Sequence, residues 1–321
     1  MTPQQYIKEQ LNRLKQPVEV VETGDPVADI YKAVMSKKFR KYSVSPDYQE
    51  SIKQTVKKCV KNQKPLPLVW VFGGYKLWSL KEAPRVDWAE LFSLIYFVRW
   101  MQPVLKLHQP GVWFDFFSDD VIVPMMNNVP QSDTKAYIQS FQELLKFILP
   151  FLPKGFKFTL NRVEDQYKSF DDFKTELDQN IKKLAKQRKT KPLKLISEQI
   201  AAIDMNVIPN KKQQQTKHWR DEVQIIHDAY SQSSKRRPYY RNPDKIMVLN
   251  TPIPGALAIG TTKTSVVKFW VGVGALKKRG DSFIETILSP KQLKQAKFTQ
   301  EKISISKLTD KNFRQIRLLS N

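Results

Sequence analysis

Apolar positions along the chain fall into two different periods, and the change from one to the other divides it. Thr2-Pro3, Asp25-Pro26 and Ser45-Pro46 each pair an N-cap residue with proline at the first helical position. Behind each follows a one-sided apolar stripe: Tyr6, Ile7, Leu11 and Leu14; then Val27, Ile30, Tyr31 and Val34; then Ile52, Val56, Cys59 and Val60. Residues 1–64 are therefore expected to form a helical N-terminal segment, closed by Lys64-Pro65.

From Leu66 the period is lost. Leu66 to Phe72 (LPLVWVF) is short and continuously apolar, Val112 to Phe117 (VWFDFF) is apolar but for Asp115, and both are rich in β-branched and aromatic residues, as strands buried on both faces are. Phe156 to Leu160 is expected to be a third strand, and Gly73-Gly74, Pro110-Gly111 and Gly155 punctuate them. Between them lie helical stretches. Asp87 with Glu90 three residues on is an Asp form of the capping box, opening a helix that is apolar nearly all round. Ser132 or Asp133 opens the next, with Tyr137, Phe141, Leu144, Leu145 and Ile148 as its stripe.

Strand, helix, strand, helix, strand predicts a parallel sheet. The fold class is thus α/β, Rossmann-like: a mostly parallel sheet flanked by helices, with the core at about 65–203. Further helices are expected near 170–188, 193–203 and 218–231, with a polar linker over 204–217. Beyond Pro243, the runs Ile246–Leu249, Ala256–Ile259 and Ser265–Val273 suggest a β-rich part, 218–321, that completes or extends the sheet.

Charge sharpens this division. The net charge of +23 splits into +6 for residues 1–64, −2 for 65–180 and +19 for 181–321. A basic C-terminal part suits phosphates or nucleic acid through a salt-screened field, or only solubility. One cysteine excludes a disulfide framework and a Cys-rich zinc site, and three histidines make a His-rich metal centre unexpected, so neither metal nor cofactor is anticipated. Trp88 to Met101 is too short and too charged for a membrane span, and the mixed polar first sixteen residues do not read as a signal peptide. A cytoplasmic protein without membrane contact is the expectation.

In an open parallel sheet, ligands sit beyond the carboxyl ends of the strands. Three loops leave those ends: Gly73-Gly74-Tyr75-Lys76, Ser118-Asp119-Asp120 and Asn161-Arg162-Val163-Glu164-Asp165. Gly73 and Gly74 would let backbone N–H groups approach an anion and Lys76 could pair with it, or the glycines form only a tight strand exit. Asp119 and Asp120 could hold a substrate ammonium, bind a cation as in a metal-dependent sugar-nucleotide transferase, act as acid and base, or merely cap a turn. Arg162 stands ready for an anion. Lys235-Arg236-Arg237-Pro238-Tyr239-Tyr240-Arg241 mixes charge with aromatic rings, which fits a phosphorylated substrate, single-stranded nucleic acid or a solvated loop. Lys263, in a hydroxyl-rich stretch, is a further phosphate contact. His108 is expected to be exposed before its turn, His227 to be a packing or surface residue, and Cys59 a buried thiol.

Lys64-Pro65-Leu66-Pro67-Leu68, Phe72 to Lys76, Pro84, Asp87-Trp88-Ala89-Glu90, Pro110-Gly111 and Ser118-Asp119-Asp120 together resemble, in order and spacing, the isonitrile synthase (pyoverdine/dityrosine biosynthesis) family. The resemblance covers about residues 64–149; Asp120 stands where that family has Gly. It implies a Rossmann-like enzyme that converts the amine of an amino acid to an isonitrile with a pentulose phosphate as carbon source. Lys76 would match the family's lysine and Asp119 its strand-end aspartate, with Asp120 beside it. Arg236, Arg237 and Lys263 would add phosphate contacts. The alternatives are a basic nucleic-acid-binding protein using residues 181–321, and a scaffold that kept the fold and lost the site.

Overall fold

The computed structural model describes residues 1–320 except 75, 77–83, 128, 191–194, 198–199, 201–202, 205–206, 208–214, 217 and 241, and omits the side chains of 127, 237 and 240. Three N-terminal helices, α1 (Pro3–Asn12), α2 (Pro26–Val34) and α3 (Pro46–Asn62), begin at the proline signals read from the sequence. Thr2 caps α1 through a full capping box with Gln5, and the Asp25 carboxylate accepts from the Val27 and Ala28 N–H groups.

The main sheet is α/β and wholly parallel. Strands β1 (Leu66–Phe72), β2 (Val112–Ser118) and β3 (Phe156–Arg162) alternate with α4 (Trp88–Leu107), α5 (Val123–Asn127) and α6 (Gln131–Ile148). The chain then runs through α7 (Phe170–Thr190), α8 (Trp219–Ser231) and α9 (Arg236–Tyr240) to β4 (Ile246–Leu249) and β5 (Leu257–Ala258). Strand order is β3-β2-β1-β4-β5. After β3 the chain therefore crosses back and pairs β4 with the other side of β1, making β1 the point where strand order reverses.

Both faces of the central strands are buried, which is why β1 and β4 read as continuous apolar runs, while the edge strand β3 exposes Lys157. Leu68, Trp70, Phe72, Phe114 and Phe116 face the larger core, shared with α1 to α4 and α6. Val69, Val71, Phe117, Met247 and Leu249 face a smaller core under α7 and α8. Helix α4 continues through Pro103 to Leu107.

A second sheet, of mixed direction, holds β6 (Val273–Arg279), β7 (Ser282–Leu288), β8 (Phe298–Lys302) and β9 (Gln315–Leu319), with the short α10 (Pro290–Gln295) between β7 and β8. The C-terminal part thus does two things: β4 and β5 extend the main sheet, and the remaining strands form a separate one. It packs on the start of α4. Gly274 lies so close that a Cβ there would stand 2.4 Å from the Trp88 carbonyl carbon and the Ala89 nitrogen.

Three expectations change. No strand forms over 265–272; that stretch is a loop ending in a turn, where Val271 and Gly272 donate to the Lys268 carbonyl, while Phe269 and Trp270 plug into the aromatic core. His108 is buried, its Nε2 2.8 Å from the Lys64 carbonyl oxygen. Helix α6 starts at Gln131, ahead of the expected Ser132 or Asp133 cap. The expected helix at 193–203 and the linker at 204–217 lie largely outside the described residues. No described helix is long and apolar enough to cross a membrane.

Candidate functional site

The exits of β1 and β2 are tied together. Gly74 has a positive φ of 64°, and a Cβ there would meet the Ser118 Oγ at 2.2 Å, so only glycine lets the two loops close. The Asp119 N–H donates to the Phe72 carbonyl at 2.8 Å. From this junction the acidic pair diverges.

Asp119 turns toward α8 and α9. Its Oδ1 accepts the Tyr230 hydroxyl at 2.6 Å and the Arg236 Nε at 3.2 Å, and its Oδ2 accepts a terminal Arg236 N–H at 3.1 Å. The guanidinium stacks on Tyr230, 4.7 Å from the ring centroid. The Asp119 side chain, gripped in this way, is 16% exposed.

Asp120 turns inward and is fully buried. It takes the Ser118 hydroxyl at 2.7 Å and two N–H groups of Arg162, at 3.1 and 2.6 Å. Arg162 also pairs with Glu164, whose buried Oε2 has no hydrogen-bond partner among the described residues. One cation thus faces two enclosed carboxylates. Burial pushes the Glu164 carboxyl up to about 8, with Asp120 adding to the rise and Arg162 opposing it.

A raised carboxyl pKa means that the folded chain holds a proton that the unfolded chain releases. Stability therefore falls as pH rises from about 4.5 to about 8 and levels off above. Glu164→Gln is expected to make that slope shallower in urea midpoints taken across the range. An unchanged slope would remove Glu164 from the account.

Lys76 lies in a third group. Its Nζ, with no solvent exposure, meets Asp87 Oδ1 at 2.9 Å and the two Glu90 oxygens at 2.9 and 2.7 Å, and Tyr137 donates to Glu90 at 2.9 Å. Asp87 and Glu90 are the capping box of α4. Burial pushes the Glu90 carboxyl up to about 7, against the pull of the Lys76 ammonium. Here too one cation is shared by two carboxylates.

A crevice of about 470 Å³ opens where β1 and β4 part, beyond their carboxyl ends. Phe72, Gly73 and Asp119 form one side of it, Asn250 and Thr251 another, and Gln224 and His227 of α8 a third. Lys268 and Trp270, from the turn after the hydroxyl-rich stretch, complete it. Gly73 and Asp119 thus line the crevice, and Arg236 is bound to it through Asp119. Asp120, Arg162 and Gly74 stand behind it in the packed junction. Lys76 is sealed away from it. Lys263 is exposed and borders another hollow with Arg99 and Glu285. The Arg237 side chain lies outside the described residues. Lys268 was missed by sequence reasoning; its signal is a lone lysine amid the apolar run Val266 to Val273.

A larger hollow, about 750 Å³, opens at the opposite, amino-terminal edge of the sheet, beside Pro65, Pro67 and Trp113. Two of its lysines, Lys58 and Lys245, are neutralised by Asp244 and Asp115. The smaller crevice has the stronger claim, because it lies at the switch point and gathers unlike polar groups. Among the described residues no cluster of His, Cys, Asp and Glu could hold a metal ion.

No family model matches the chain, and no curated protein matches it in sequence. Among solved structures, the crystal structure of PvcA from Pseudomonas aeruginosa is similar to it, with a TM-score of 0.59 and 13% identity, over 92% of this chain and 100% of that one. A likeness at that identity is one of fold.

Proposed function

We propose that the chain is a biosynthetic small-molecule enzyme whose substrates meet in the crevice beyond β1 and β4. The observation that carries the reading is the convergence, at the point of strand reversal, of a gripped but accessible carboxylate, a half-exposed imidazole and an amine. The likeness in fold to PvcA and the motif resemblance to isonitrile synthases support biosynthetic chemistry there.

In its finer form, the reaction joins an amino acid amine to a pentulose phosphate and yields an isonitrile. Asp119, at the crevice wall, would receive the substrate ammonium, while Tyr230 and Arg236 fix its orientation. His227, at the crevice wall, would move protons to and from the nitrogen. The Gly73 backbone leaves room for close approach. The basic run from Lys235 would draw the phosphate toward the same rim.

The test is incubation of the intact chain with amino acids and a pentulose phosphate, read by infrared detection of the isonitrile band and by thermal shift. Stabilisation by either ligand with product formation is expected. No stabilisation and no product, together with tight, steeply salt-dependent binding of single-stranded oligonucleotides, would replace this reading with nucleic-acid binding.

A further inference from the structure

Lys268 is held in place by its neighbours rather than by its own charge. Phe269, beside it, is buried among Trp70, Phe72, Phe97, Phe116 and Phe141. Trp270 packs edge-on against Phe72, at 5.8 Å between centroids. The Lys268 carbonyl is fixed by the Val271 and Gly272 N–H groups, at 3.0 and 2.9 Å. A short turn anchored by two aromatic side chains thus carries a half-buried lysine to the crevice.

Its amine is in an unusual state for this protein. Among the described residues, enclosed Lys76 and Lys245 each meet a carboxylate, and half-buried Lys41 donates to the Lys263 carbonyl. Among the described residues, Lys268 Nζ makes no hydrogen bond or ion pair; it lies 5.7 Å from the Trp270 ring centroid. An ammonium meant only to stabilise the fold would be paired there, since an enclosed unpaired charge is costly. Burial pushes this amine's pKa down, favouring its neutral, nucleophilic form. Among the described residues, Asp119 and His227 are the other titratable groups of the crevice.

We infer that Lys268 is a catalytic nucleophile that forms an imine with the carbonyl carbon of the sugar phosphate. The inference rests on the reading above and adds a covalent step to it. The lone pair on Nζ attacks the carbonyl carbon, the C=O π bond becomes an alkoxide, and a proton passes from nitrogen to oxygen. Loss of water then leaves C=N; both hydrogens of that water come from the amine, and nothing is oxidised or reduced. Attack by the amino acid amine on this C=N would transfer the carbon to substrate nitrogen and restore the Lys268 amine, again with no change in redox state. An enzyme-bound imine is a better electrophile for that transfer than a free ketone.

The test is reductive trapping. The intact protein is incubated with a pentulose phosphate and cyanoborohydride, digested, and read by mass spectrometry, with thermal shift measured in parallel. The reduced adduct is expected on the peptide containing Lys268, and Lys268→Arg is expected to lower it to background while retaining stabilisation by the sugar phosphate. Lys268→Met, similar in length and uncharged, is the second variant should the arginine be too bulky to fold. Stabilisation of the wild-type chain without an adduct at Lys268, or adducts spread evenly over surface lysines, would overturn the inference and leave the enzymatic reading standing. Neither stabilisation nor adduct would bring down both.

Discussion

Lys76→Met is expected to lower the unfolding free energy by about 3–5 kcal/mol, because it leaves buried carboxylates without their cation. The wild-type cluster holds one ammonium between Asp87 and Glu90, all three enclosed. Removing the cation leaves two enclosed carboxyl groups side by side without the ammonium that both accept. The same carboxylates cap α4: Asp87 accepts the Ala89 N–H at 2.7 Å, and Glu90 accepts the Asp87 N–H at 2.8 Å. The loss therefore reaches the helix start and, through the Gly274 N–H at 3.4 Å from Asp87, the second sheet. Urea denaturation measures it. Neutralising the acids as well, in the triple variant Lys76→Met, Asp87→Asn, Glu90→Gln, is expected to recover much of the stability. A single variant as stable as wild type but insensitive to sugar phosphate would instead make Lys76 a ligand-contacting residue, as the motif resemblance implies.

What the sequence disclosed and what it withheld follow from the range of each interaction. Leu66 to Phe72 was legible as a strand because burial on both faces leaves no polar position to confuse the pattern, and Val112 to Phe117 because only Asp115, buried against Lys245, interrupts it. The Asp87–Glu90 capping box was legible because its hydrogen bonds span three residues. That the box also holds an ammonium was not, since Lys76 lies 11 and 14 residues away from its partners and only the fold brings it back. The run Ser265 to Val273 looked like a strand by composition. Its aromatic residues instead fill space above Trp70 and Phe72, and filling a core asks for volume rather than for period 2. The run Ala256 to Ile259 was legible as a strand, and its centre, Leu257–Ala258, pairs with β4 in the main sheet. For the candidate site, reading the strand-end loops named Gly73 and Asp119, and both line the crevice. The direction in which each side chain turns was hidden: adjacent Asp119 and Asp120 face different partners because one follows α8 and α9 and the other follows β3. His108 was misjudged for a similar reason, its partner being the carbonyl of Lys64 across the sheet edge.

That divergence sets up the second large effect: Asp119→Asn is expected to lower turnover of the proposed reaction by about 10²-fold, the scale on which misplacing a reacting group acts. The amide keeps an oxygen for the Tyr230 hydroxyl but lacks the charge that balances Arg236, a side chain 6% exposed. The guanidinium then shifts toward any other anion within reach, and the carboxylate that would receive the substrate ammonium is gone. Stability should fall far less than for Lys76→Met, by about 1.5–3 kcal/mol, the worth of a hydrogen bond to a charged group. Steady-state kinetics over a range of amino acid concentrations separates the two roles of the carboxylate. A loss mainly in KM would mean that it binds the ammonium; a loss mainly in kcat would mean that it acts on the reacting nitrogen after binding. Turnover within twofold of wild type, with the fold intact, would remove Asp119 from the chemistry and leave it as a strut between β2 and α9.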